Sequence, residues 1–88
     1  MLRAKEGQEA AVEQELRALI VPTRREPGCF GYSLHRSADQ PSVFLLHEVW
    51  ASRDHHARHT QTPHFQRWSA RKDAVLASRD TSFWKQIA

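Results

Sequence analysis

Ser42-Val43-Phe44-Leu45-Leu46-His47-Glu48-Val49-Trp50 is apolar on both sides of a two-residue period. Val43, Leu45, His47 and Val49 alternate with Phe44, Leu46, Glu48 and Trp50. Successive strand residues point to opposite faces of a sheet, so a strand of this kind expects cover on both sides. Upstream, Cys29 to Arg36 has the same period, with Phe30, Tyr32 and Leu34 on one side and Cys29, Gly31, Ser33 and His35 on the other. Ala38-Asp39-Gln40-Pro41 between the two runs is turn chemistry, and the pair reads as a hairpin.

Outward from the hairpin the period changes. From Gln8, Val12, Leu16, Leu19, Ile20 and Thr23 recur at helical spacing, opposite Glu9, Glu13, Gln14 and Arg17. Pro22 falls inside this pattern and is expected to kink the helix or end its regular part. Glu26-Pro27-Gly28 is the firm stop. Met1 to Ala4 reads as the end of a strand and Lys5-Glu6-Gly7 as a turn. Ser52 caps a helix running from Arg53 to His59 or Thr60, and Thr62-Pro63 starts another, with Phe65, Trp68, Val75 and Leu76 on its buried side. Thr81 to Ile87 reads as a last strand.

The order strand, helix, strand, strand, helix, strand predicts an α+β, ferredoxin-like split β-α-β fold, a four-stranded antiparallel sheet with helices on one face. The 88 residues form one domain, 1–88. Helices on one face cannot cover both sides of the hairpin. The far face therefore calls for a second sheet, most simply that of an identical chain, with a lone domain carrying an apolar open face as the alternative.

Composition excludes several classes. No apolar run is long enough to span a bilayer and no leader is evident, so a cytoplasmic protein without membrane contact is expected. A single cysteine, Cys29, rules out an internal disulfide. The net charge is +3, but the excess sits after residue 50 as scattered arginines, not as the dense basic face that nucleic acid requires. Gly7, Gly28 and Gly31 do not form a dinucleotide fingerprint, so no nicotinamide or flavin is expected.

Three stretches together resemble the antibiotic biosynthesis monooxygenase (ABM) family. They are Pro22 to Cys29 with Tyr32 and Leu34-His35-Arg36, Glu48-Val49-Trp50-Ala51-Ser52, and His59-Thr60-Gln61-Thr62-Pro63-His64-Phe65. The resemblance implies a homodimeric α+β barrel, a small aromatic quinol or phenol substrate, dioxygen as co-substrate and no cofactor. Only Met1 to Ala4 precede the first turn where relatives carry a full strand, so either that strand is truncated or the true start lies upstream. Haem-degrading relatives place an axial histidine where this chain has Ser69, which disfavours that chemistry.

Cofactor-free oxygenation needs a base near neutrality and a flat apolar wall. His59 matches a family pocket position and is the candidate base, with a helix-end histidine facing backbone carbonyls as its alternative. Glu48, amid apolar neighbours, either assists or orients that base or pairs with an arginine such as Arg36. Trp50, Tyr32, Phe65 and Trp68 are the candidate walls, or plain core. His55 and His59, four apart, share a helix face but lack an assured third ligand, so no metal is expected. A non-catalytic module that binds a small aromatic ligand is the alternative function.

Overall fold

A computed structural model describes residues 1–88. The elements are β1 (Leu2–Ala4), α1 (Glu9–Arg24), β2 (Cys29–Arg36), β3 (Val43–Trp50), α2 (Arg53–His59), α3 (Pro63–Val75) and β4 (Leu76–Arg79). They form an α+β fold whose four-stranded sheet has the order β2-β3-β1-β4, every neighbouring pair antiparallel. No helix is long and apolar enough to cross a membrane.

The core lies between helices and sheet. Val12, Leu16, Leu19 and Thr23 of α1 are buried along one stripe. They meet Leu2 and Ala4 of β1, Tyr32 of β2, Phe44 of β3, Trp68 and Val75 of α3, and Leu76 of β4. Each fully buried leucine contributes about 1.5–3 kcal/mol relative to an exposed one. Pro22 does not end α1, which continues to Arg24. The last turn tightens instead, with Arg25 N donating to the Pro22 carbonyl and Glu26 N to that of Thr23.

Three expectations are corrected. The last strand is Leu76–Arg79, not Thr81 to Ile87. The chain reaches the free edge of β1 as soon as α3 ends, and Asp80 already pairs with Met1 at the end of that strand. Residues 81–87 form no strand, and Trp84 and Ile87 there stand about nine-tenths exposed. Phe30 does not share the inner face with Tyr32. A bulge between Cys29 and Gly31 breaks the alternation and leaves Phe30 out in solvent. On the far face Leu45 and Val49 are exposed, but Val43 is already buried within the chain.

Candidate active site

Glu26, His59 and His64 meet where three connections converge. Glu26 opens the turn from α1 into β2. Pro27 follows, Gly28 takes φ +80°, and Cys29 N donates back to the Glu26 carbonyl. Proline second and glycine third is type II turn chemistry. The Gly28 carbonyl accepts from Ala51 N at 2.7 Å, which ties this turn to the end of β3. The His55 ring occupies the space a Gly28 Cβ would need. His59 is the last residue of α2 and His64 the second of α3. The short connection between them is pinned by Thr62, whose hydroxyl donates to the His59 carbonyl at 2.7 Å and accepts from Phe65 N.

His59 is 1% exposed. Its Nδ1 lies 2.7 Å from Glu26 Oε2, and His64 Nε2 lies 2.8 Å from the same oxygen. The hydrogen-bond partners assign the tautomers. Thr62 spends its proton on the His59 carbonyl, so its oxygen, 3.1 Å from His64 Nε2, is an acceptor there. Facing two acceptors, His64 Nε2 carries hydrogen. His59 Nδ1 faces a carboxylate and donates, so Nε2 is the ring nitrogen left to act as a base.

Aromatic rings enclose His59. Trp50 and Phe65 lie with centroids 5.0 Å away, and Tyr32 at 5.6 Å. His56 and His64 follow at 6.1 and 6.0 Å. Three of the four candidate walls therefore gather on the candidate base. Trp68 does not join them; it is buried in the core with Leu16 and Val75.

Glu48 makes no hydrogen bond to His59. Its Oε1 accepts from Trp50 Nε1 at 3.0 Å and lies 3.9 Å from His56 Nε2. Nor does it pair with Arg36. Tyr32 stands opposite Glu48 and Arg36 opposite Phe44, four residues or about 13 Å further along the sheet. Arg36 bonds Glu13 instead. His55 likewise does not act with His59; its Nδ1 bonds Ser52 Oγ at 2.8 Å.

The two carboxylates colour the site. Burial, then the charges of Glu48 and Glu26, push the Tyr32 phenol far above its ordinary range, and the nearby Thr23 hydroxyl offsets little of this. Burial also pushes the Cys29 thiol up, with Glu26 and Glu48 adding to it. Spacing gave no sign of Glu26: it reads only as part of a helix stop, and its partners lie 33 and 38 residues away. His64 follows a helix-initiating Thr-Pro pair, and that pair is its only local signal.

A cavity of about 310 Å³ lies elsewhere, between α1 and the β2 edge, lined by Arg17, Arg24 and Arg36 with Glu13. The second, about 30 Å³, lies beside Trp68 and His64. Neither is lined by His59.

The family model described as antibiotic biosynthesis monooxygenase matches residues 1–71. The uncharacterized protein sll1783 of Synechocystis is 38% identical over 58 residues, 66% of this chain and 40% of that protein. Rv0793 of Mycobacterium tuberculosis is 36% identical over 67 residues, 76% of this chain and 65% of that protein. The chain thus matches less than two thirds of the length of both. The crystal structure of PA3566 from Pseudomonas aeruginosa superposes with a TM-score of 0.85 at 38% identity, covering 88% of this chain and 78% of that one.

Proposed function

Since this chain belongs to the antibiotic biosynthesis monooxygenase family, we propose that it oxidises a small aromatic hydroquinone or anthrone with dioxygen, with His59 as proton acceptor. The hydrogen bond from His59 Nδ1 to Glu26 inside the ring cage carries this reading. It holds the imidazole in one tautomer, as a positioned general base requires. Glu26, not Glu48, is the orienting carboxylate, and Glu48 steadies the Trp50 wall.

The chemistry draws its electrons from the substrate. Loss of a proton from an anthrone gives an anion that passes one electron to dioxygen. Substrate radical and superoxide then combine, the base returns its proton to the peroxide, and loss of water leaves the ketone. One dioxygen yields one carbonyl oxygen and one water. Tyr32, held protonated, can donate a hydrogen bond to the developing oxyanion.

Oxygen uptake on a panel of hydroquinones and anthrones tests this. His59→Ala is expected to lower kcat/KM by about 10²- to 10⁴-fold. No turnover of any panel member, or an unimpaired variant, removes the mechanism.

A second reading is a binding module without turnover. The burial of His59 and the distance of the 310 Å³ cavity from it favour this reading. Saturable quinone binding with no oxygen consumption would select it. Either reading pairs the chain with a second copy across the exposed face of Leu45 and Val49.

A further inference from the structure

We propose that Glu26, His59 and His64 form a binding site for a borderline transition-metal ion, zinc foremost. Glu26 Oε2, His59 Nδ1 and His64 Nε2 all lie within 4.8 Å of one another. They come from the turn after α1, the end of α2 and the start of α3, so the folded chain brings them together in advance.

The donor chemistry selects the ion. Two imidazole nitrogens and one carboxylate oxygen suit zinc and its neighbours, whereas calcium and magnesium take oxygen ligands. Three protein ligands leave a fourth tetrahedral position open to water or an outside ligand. Ligand atoms around a tetrahedral zinc stand about 3.3–3.4 Å apart, since the bonds are about 2.0–2.1 Å. The 2.7 and 2.8 Å separations from Glu26 must open by roughly 0.6 Å, once the ion replaces the two shared hydrogens. The Glu26 and His64 side chains keep 11% and 17% exposure, enough freedom for that adjustment.

Charge supplies an independent argument. Glu26 is largely buried, and its only ion-pair partners are these two histidines. No lysine or arginine lies within ion-pair distance of it; in the surrounding neighbourhood Glu48 adds negative charge and Arg24, held on the Tyr32 carbonyl, adds positive charge. With both rings neutral the carboxylate keeps two N–H donors but has no full positive charge in direct contact, and a largely buried charge favours one. A dication removes that deficit. The competing solution is a proton on one ring, and it predicts no metal affinity.

The inference does not rest on oxygenation, because zinc can bind whether or not the protein turns a substrate over. Calorimetric titration of metal-stripped full-length chain with zinc chloride is the test. One zinc per chain is expected. Glu26→Gln and His64→Gln are each expected to weaken it by at least about a hundredfold, beyond the usual effect of partners outside the ligand set. His35→Ala, an exposed histidine on β2 outside the cluster, should bind as the wild type does. Circular dichroism checks that the variants fold. X-ray absorption on the zinc-loaded wild type gives a readout independent of them, with two imidazoles and one carboxylate expected. No saturable binding by the wild type, affinity unchanged in folded Glu26→Gln, or a spectrum without imidazole ligands overturns the proposal.

Discussion

Tyr32 is held protonated well above the ordinary phenol range, first by burial and then by the charges of Glu48 and Glu26. The unfolded chain ionises this group near pH 10. Above that pH the unfolded state binds fewer protons than the folded state, so stability falls as pH rises. The Tyr32 contribution is therefore complete below about pH 10 and lost above it. Urea midpoints between neutrality and alkaline pH, measured in a Cys29→Ser background because Cys29 is shifted the same way, should fall more steeply for Tyr32 than for Tyr32→Phe. Equal slopes would show the phenol to be no more protected folded than unfolded. At the same scale the two proposals for His59 meet. A metal on Nδ1 leaves Nε2 as N–H, so the proposed base disappears when zinc binds. Zinc should then suppress oxygen uptake in the wild type, and suppress it far less in His64→Gln.

Among the elements, the Glu26-Pro27-Gly28 turn carries most of the site's geometry. Gly28 has φ +80° and the His55 ring against it, whereas Gly7 has φ +83° and open space around its missing Cβ. Gly7→Ala is expected to cost about 1–2 kcal/mol for the left-handed backbone alone. Gly28→Ala should cost more, because His55 must also move, and should weaken whatever Glu26 holds. Thermal or urea unfolding of the two variants side by side checks the order. In α1, Leu16 is fully buried, and Leu16→Ala is expected to lose about 2–5 kcal/mol. Turns and caps of this kind were legible in the residues. Ser52 and Thr62 cap α2 and α3 as their chemistry requires, accepting from His55 N and Phe65 N. Pro22 was legible only as a disturbance, because tertiary packing of Val12, Leu16, Leu19 and Thr23 outweighs one missing donor.

For the whole molecule, the proposed pairing with a second copy rests on the far face of the sheet. Leu45 and Val49 are 45% and 43% exposed and lie beyond the reach of the chain's own helices. Sedimentation across a wide concentration range should show a dimer, and Leu45→Asp with Val49→Asp should shift it to a monomer with unchanged circular dichroism. A wild type that stays monomeric throughout defeats the pairing.

By itself the sequence determined the α+β architecture, the hairpin and the helix starts, because these follow from short-range periodicity and cap chemistry. It also singled out His59, Trp50, Tyr32 and Phe65, which the fold gathers into one cage. Only the tertiary structure decided which carboxylate His59 meets. Two-residue spacing on one face of β3 holds Glu48 to Trp50, strand register keeps it far from Arg36, and a turn 33 residues before His59 delivers Glu26. The last strand was settled in the same way, by which backbone edge of β1 lay open when α3 ended. Pairings between distant segments depend on where the whole chain is placed, and no local spacing records that.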